Sequence, residues 1–593
     1  WCLDETALRS LPVSDTLAGH LGERLTSLPA PTSRLLAAAA MIGGDFHARL
    51  LSRATGFSEE ELSRNLGELA QEGYIRETDG GAWRIAHDRI LEAASALVDA
   101  DDAARLHLAI GRALLAELGD DPGDLLFAVA DHLNRAGTPV GADEAVRLAE
   151  INLRAGERAM SSGAFESARS FFRCGMDAIG LPGAGEAWRT RYDLSFALCR
   201  HRAETEYLCG DHDAFDAVLQ SSLNLVSDPL DRTELEMLRI QQLAMAARHA
   251  EAIQHGINAL HSLGIEFPNE NFRAAVAGEL AAVEAYMKGR SIASIFDNPE
   301  MSDPAYRNST KIMSIMLNSA FHCDPVLFRL ILLKIISLSI KHGNNAHSCA
   351  GFIGYGLILT NVFFDFVNGF EYGLLGVRLV ERFPELQIRC SALHQFTIHI
   401  LPWNKHLRET VPYNANAYQA GIESGELYFA NINKHHTMAS RYHAGESLDA
   451  LRDDFIACLA QMHAQRQYVT LEPALNYIGF LANLTGETGS ADCFDTEYIT
   501  DDQHARNMTT ENARTSLCQY YMLRAQALHL YGRCEQALPF AERALLNQQH
   551  MMGCFHVAEL NCSHSLILAA LCDSADGDRR PAFSGRSART SKR

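Results

Sequence analysis

Basic charge is in short supply in this 593-residue chain. Lys and Arg number 52 against 73 Asp and Glu, a net charge of −21. A negative field of that size repels phosphate backbones and anionic lipid, so no nucleic-acid partner is expected. Proline is scarce, 17 in all, which favours long helices over proline-broken loops. No Gly-Lys dipeptide occurs. A Gly-x-x-x-x-Gly-Lys-Ser/Thr loop therefore cannot cradle nucleotide phosphates, and ATP hydrolysis by this chain alone is not expected. No Gly-x-Ser-x-Gly elbow marks a nucleophile either. No apolar run reaches the roughly 18 residues of a membrane span. The nearest, 327–340, is too short and carries Arg329 and Lys334. The 14 cysteines form no Cys-x-x-Cys pair and fall singly on apolar helical faces, as Cys174, Cys199, Cys209 and Cys349 do. They read as small buried hydrophobes in a reducing, cytoplasmic setting.

What is present is helix-forming and apolar. Hydrophobic residues make up 47 % of the chain, and Ala and Leu, the best helix formers, are abundant. The length suits roughly three or four ordinary domains or one extended repeat array. Residues 1–29 form a short lead-in, with Leu17, Leu21, Leu25 and Leu28 at helical spacing. Residues 30–102 read as a winged-helix domain. Helices are predicted over 31–41 and 46–55. A third is capped by Ser58 with Glu61 as its capping-box partner and stops at Gly73. Tyr74 to Thr78 and Ala82 to Ile85 flank Asp79-Gly80-Gly81 as a hairpin. From 103 to 572, taken as repeat segments 103–270 and 271–572, helical patterns alternate with short stops such as Asp228-Pro229 and Phe267-Pro268. That alternation means antiparallel helix pairs. Several share a tetratricopeptide-like turn: Ser162-Gly163-Ala164-Phe165 with Ala168, Cys209-Gly210-Asp211 with Phe215 and Ala217, and Tyr531-Gly532-Arg533 with Ala537 and Ala541. Gly ends one helix and Ala lets the next approach. Residues 573–593 are polar and Arg-rich, cannot bury a core, and are expected to be disordered. The expected fold class is mainly α: a winged helix followed by a tetratricopeptide-like α-solenoid.

Candidate chemistry is thin. The would-be recognition helix carries Glu59, Glu60, Glu61, Glu68 and Glu72 against Arg64, so it cannot neutralise phosphates or read bases. His435, His436 and His443 cluster in sequence. His435 and His436 are adjacent and point in different directions on a helix, so they read as satisfied surface or groove residues and not as a zinc site. Phe363, Phe364, Phe366, Phe370 and Tyr372 read as core. Asn344, His399, Trp403 and His406 are candidates for lining a groove on the repeats, and packing explains them equally well. No catalytic residue and no metal ligand is assigned. At His87-Asp88-Arg89, Asp88 is placed to N-cap the following helix while His87 packs.

The order of several motifs resembles one family. Trp1 to Asp4, Leu25-x-x-Leu-Pro29 and Leu36 to Phe46 resemble the end of the ATPase module in large multidomain signalling proteins. These fuse a Ser/Thr-kinase-like domain, an AAA/STAND-type ATPase, a tetratricopeptide-like region, a GAF domain and a histidine kinase. The likeness continues through Arg84 to Ile90, Leu106 to Gly111, Asp131 to Asn134, Leu148 to Gly156, Ala203 to Asp211, Tyr355 to Leu359 and Pro402 to Thr410. The resemblance implies that the ATPase lies upstream of Trp1 and the output domain downstream, so that this chain is a truncated piece. It implies ATP or ADP and magnesium in the parent and no cofactor in this piece. It also implies that His87 matches a position that touches the β-phosphate of bound ADP in related ATPases. The function expected from it is regulatory and not enzymatic. A protein or small-molecule signal on the repeats would be coupled to an upstream ATPase and a downstream histidine or Ser/Thr kinase. The alternative is a fragment of a STAND-type transcription regulator with a downstream DNA-binding domain.

Overall fold

The computed structural model describes residues 24–43, 45–78, 80–118, 123–137, 141–181, 185–268, 271–464, 471–508, 513–551 and 553–574. Leu17, Leu21, residues 1–4 of the resemblance and positions 575–593 of the tail lie outside them.

Local signals set the first elements. Pro31 sits in the first turn of α1 (Ala30–Ile42), where its missing N–H costs nothing. Helix α2 (Ala48–Thr55) ends at Gly56 in the left-handed region. Helix α3 (Glu59–Gln71) opens with the expected capping box. The Glu61 N–H donates to Ser58 Oγ, and the Ser58 N–H donates to the Glu61 carboxylate at 3.0 Å. Strands β1 (Asp45–Phe46), β2 (Ile75–Glu77) and β3 (Trp83–Ile85) form an antiparallel sheet in the order β1-β3-β2. The second helix was expected to begin at Phe46. Asp45 and Phe46 instead pair with Arg84 and Trp83 on β3. Phe46 is fully buried there, and the Asp45 carboxylate grips the Arg84 guanidinium. Tertiary pairing overrides helical pattern over two residues, and the helix starts only after His47. The core beneath joins Leu36, Leu51, Leu66, Leu69, Ile75, Ile85 and Ile90, the last from α4 (Asp88–Ser95).

The chain divides into two compact units, 1–226 and 227–593. The first continues as α5 (Ala100–Leu118), α6 (Leu126–Arg135), α7 (Ala142–Ser161), α8 (Phe165–Ala178), α9 (Gly185–Thr190), α10 (Tyr192–Leu208) and α11 (His212–Leu225). Successive helices pack as pairs, α5 on α6, α7 on α8 and α10 on α11. The predicted turns are in place. Gly163 and Gly210 have positive φ, and Ala168 and Phe215 are fully buried. Ala217 is exposed and takes no part in the close approach.

The second unit comprises α12 (Pro229–Met245), α13 (His249–Ser262), α14 (Phe272–Met287), α15 (Pro304–Cys323), α16 (Pro325–His342), α17 (Ser348–Asn361), α18 (Phe366–Arg382), α19 (Leu386–His399), α20 (Thr410–Ser424), α21 (Leu427–His443), α22 (Leu448–Ala464), α23 (Leu471–Leu484), α24 (Asp501–Asn507), α25 (Arg514–Leu530), α26 (Cys534–Asn547) and α27 (His556–Ser574). Here too helices pack in pairs, closest at α17 and α18. A Cβ on Gly356 would come 2.6 Å from the Gly369 carbonyl oxygen, so the two backbones touch only because both positions are glycine. The apolar run 327–340 lies in α16, whose Leu330, Ile331, Leu332, Ile335 and Ile336 are fully buried core. No described helix is long and apolar enough to cross a membrane. The fold is mainly α, a tetratricopeptide-like array of helix pairs.

One core assignment fails. Tyr372 is buried, but Phe363 and Phe364 are 63 % and 70 % exposed. They occupy the turn between α17 and α18, where Phe364 takes φ +56° and the chain turns away from the core.

Candidate functional site

The second unit gathers buried and half-buried histidines on three helices. His394 and His399 lie on α19, His435, His436 and His443 on α21, and His556 opens α27. Helical spacing brings His436 and His443 to one side of α21, seven residues or two turns apart. His394 and His436 meet across α19 and α21 at a tilt, with ring centroids 5.4 Å apart. His436 lies 6.4 Å and His443 5.8 Å from the His556 ring. His435 turns the other way, against Phe455 and Tyr477. At 3 % exposure it is not a surface residue. The expectation of divergent directions for His435 and His436 holds, but the surface reading of His435 does not.

The segment before α27 is tied down on the same side. The Trp403 indole N–H donates to the Gly553 carbonyl at 3.0 Å. Gly553, at φ +84°, sits so close to His399 and Asn361 that a Cβ would meet His399 Nδ1 at 2.9 Å. Phe555 meets the His443 ring edge-on at 4.9 Å. One helical turn into α27, Glu559 faces His443, with Nδ1 to Oε1 at 3.5 Å. The Gln526 amide of α25 donates to the same Glu559 oxygen at 2.8 Å.

Of the four groove candidates, His399 and Trp403 therefore belong to this cluster. Asn344 is fully buried elsewhere and donates to the Ile295 carbonyl. His406 is exposed, and its Nδ1 accepts from the Arg408 N–H. Sequence reading missed His556 and Glu559. The signal available was the His-x-x-Glu spacing, which places both side chains on one face of a helix.

Burial governs the electrostatics. It pushes the His394 imidazole down to about 3, those of His399 and His443 to about 4, and those of His436 and His556 well below their ordinary value. It pushes the Glu559 carboxyl up to about 7, against the hydrogen bond from Gln526. The two partners of the His443–Glu559 contact thus shift toward their neutral forms, because desolvation outweighs their mutual attraction. His435 Nδ1, His443 Nε2, both ring nitrogens of His556 and Glu559 Oε2 are buried without a hydrogen-bond partner. Such orphaned atoms are uncommon in native interiors and call for an occupant. On neighbouring α23 the Asn476 amide is fully paired. Asn476 donates to the Ser516 carbonyl and to Gln519 Oε1, and its own oxygen meets His504 Nε2 at 2.7 Å.

His87 lies in the first unit, exposed. It, and not Asp88, caps α4: the Arg89 N–H donates to His87 Nδ1 at 3.2 Å. The extended backbone of residue 87 makes it the cap and leaves Asp88 as the first helical residue. A neutral imidazole that accepts at Nδ1 carries its proton on Nε2.

No family model matches the chain. In an alignment 516 residues long that covers 73 % of this chain, it is 20 % identical to the hybrid signal transduction histidine kinase G of Dictyostelium discoideum, and it spans only 15 % of that protein. Among solved structures it is similar to a signal transduction ATPase with numerous domains carrying a tetratricopeptide repeat sensor, from Pyrococcus horikoshii. That match has 12 % identity, covers 88 % of this chain and 67 % of the other, and has a TM-score of 0.36. A circular tandem repeat protein is also similar, with 13 % identity, 97 % and 96 % coverage and a TM-score of 0.13.

Proposed function

We propose that this chain is the regulatory region of a signal-transducing multidomain ATPase-kinase. Its helical repeats would bind a protein or small-molecule signal, and its first unit would pass that event to an ATPase and a histidine or Ser/Thr kinase in the same protein. The carrying observation is the likeness to a hybrid signal transduction histidine kinase over 73 % of this chain and only 15 % of that relative. A matching stretch of that proportion is one part of a larger signalling machine. The chain then regulates and does not catalyse; ATP and magnesium act in the parent.

The first-unit elements α1, β1, α2, α3, β2 and β3 follow the order of a winged helix, and α3 begins with Glu59, Glu60 and Glu61. An acidic helix in that place suits contact with protein and not with DNA. His87, just after β3, is the residue we assign to nucleotide sensing. Its exposed Nε2–H is a donor suited to a phosphate oxygen of ADP. The test is His87→Ala in the full-length parent, with ADP affinity and autophosphorylation as readouts. Loss of one hydrogen bond to a charged phosphate weakens ADP binding by about 10- to 100-fold and raises basal signalling. Unchanged ADP affinity together with unchanged signalling rejects the assignment.

A further inference from the structure

We propose that His443, His556 and Glu559 form a binding site for a divalent transition-metal ion of the zinc class, which clasps α27 to the last turn of α21. One ligand atom from each residue falls within 4.8 Å of the others. Zinc–ligand bonds of about 2.0–2.1 Å in a tetrahedron set ligand atoms roughly 3.3 Å apart, so small side-chain rotations close the set. The three residues come from two helices: His556 and Glu559 lie three positions apart on one face of α27, and His443 ends α21.

Orphaned polar atoms make the second, independent case. His556 is 2 % exposed, and neither of its ring nitrogens has a hydrogen-bond partner. His443 Nε2 and Glu559 Oε2 are in the same condition. Leaving such atoms unsatisfied is costly, and one cation would engage all three side chains. Burial keeps both imidazoles neutral at pH 7, the form that ligates a metal. A nearby cation reverses the penalty that burial places on the Glu559 carboxylate.

The donor set selects the metal. Two imidazole nitrogens and one carboxylate suit zinc and its first-row neighbours, whereas calcium and magnesium require mostly oxygen. Three protein ligands leave a fourth position open to water or to a ligand from outside. Gln526, which donates to Glu559 Oε1, is the positioning residue that fixes the carboxylate. The start of α27 carries a positive helix-dipole end and is by itself a poor place for a cation. Glu559 must therefore supply the compensating charge. With Gly553 and Phe555 already anchored to Trp403 and His443, the ion would fasten the one turn of α27 that faces α21.

The test is titration of the whole, chelator-treated chain with Co²⁺, read by its visible absorption, followed by competition with Zn²⁺. We expect one Co²⁺ per chain, visible bands without a thiolate charge-transfer band, and displacement by Zn²⁺. Glu559→Gln, nearly isosteric, and His443→Asn should each weaken binding by at least about 100-fold. Gln526→Ala leaves all three ligands in place and should weaken it by about 10- to 100-fold. His406→Ala, at an exposed histidine outside the cluster, should leave it unchanged. Absence of stoichiometric binding, a thiolate band, or Glu559→Gln and Gln526→Ala variants that both bind as the parent chain does would overturn the assignment.

Discussion

The two units use the same helix-pair grammar and fill their interiors differently. In the first, several buried polar groups close on one another, with Ser195 Oγ an unpartnered exception. Asn134 and Asn152 exchange two amide hydrogen bonds of 2.8 Å. Glu206, 1 % exposed, is held by Arg169 and Arg202. His107 meets His132 at 2.9 Å. In the second unit polar residues run on from helix to helix, and around His443 and His556 their atoms are left without partners. Closed pairs add specificity to a core and ask for nothing more. An open network carries an energetic debt that binding can discharge.

Acid provides the largest contrast. Burial holds His347 and His394 down to about 3 and His504 to about 4. Lys311 and Arg307 add to the effect at His347. Their folded values lie below the unfolded value near 6.5, so as pH falls the unfolded chain takes up protons first. The stability they contribute is complete above about pH 6.5 and is lost as pH falls toward about 4 for His504 and about 3 for His347 and His394, with roughly 3 kcal/mol per group already gone at pH 4. Among the described residues of the first unit one histidine is shifted as far as His504: His132, also held to about 4 by burial. Hydrogen exchange of the whole chain at pH 7 and pH 4.5 should therefore show α17 and α23 losing protection by at least about 100-fold more than α7 and α8. Parallel loss in the two units would erase the distinction.

A paired substitution sharpens it on a smaller scale. Asn476→Leu removes one member of an open network and strands Gln519 Oε1, the Ser516 carbonyl and His504 Nε2. The expected cost is about 2–4 kcal/mol, read as lost exchange protection in α23. In the first unit, Asn134→Leu with Asn152→Leu deletes both members of a closed pair. That double change should cost less than about 1 kcal/mol in α7. If the double change costs as much as Asn476→Leu, the first unit is not built of closed pairs.

How far sequence reading reached follows the same division. Signals carried by adjacent residues were legible: the Ser58–Glu61 capping box, the hairpin around Gly80-Gly81, and the Gly163, Gly210 and Gly532 turns with Ala168, Ala537 and Ala541 buried behind them. Signals that need a partner distant in the chain were not. Strand β1 is two residues long and exists only because β3 lies beside it. His443 gains meaning from His556 and Glu559, which lie more than a hundred residues downstream on another helix. Phe363 and Phe364 look like core by composition, and a positive φ at Phe364 turns them outward. At residue 87 the extended backbone made the histidine the cap, a choice between neighbours that composition does not decide. Periodicity reports which face of a helix is buried; it does not report what that face meets.

The smallest prediction checks that the contrast belongs to the interiors and not to helix ends. Ser58 caps α3 in the first unit, and Asp303 caps α15 in the second, where its carboxylate accepts from the Ala305 N–H at 2.8 Å. Both caps are exposed and bond only to the first turn of their own helix. Ser58→Ala and Asp303→Ala should therefore each cost about 1 kcal/mol, with protection lost in the first turn of α3 or α15 and nowhere else. Asp303 adds a charge at a helix N-terminus, so its loss should be the larger by a few tenths of a kcal/mol and the more sensitive to salt. If Asp303→Ala instead propagates to α17 or α23, the second unit couples its surface to its buried network. The open interior would then respond to events at helix ends as well as to an occupant at its centre.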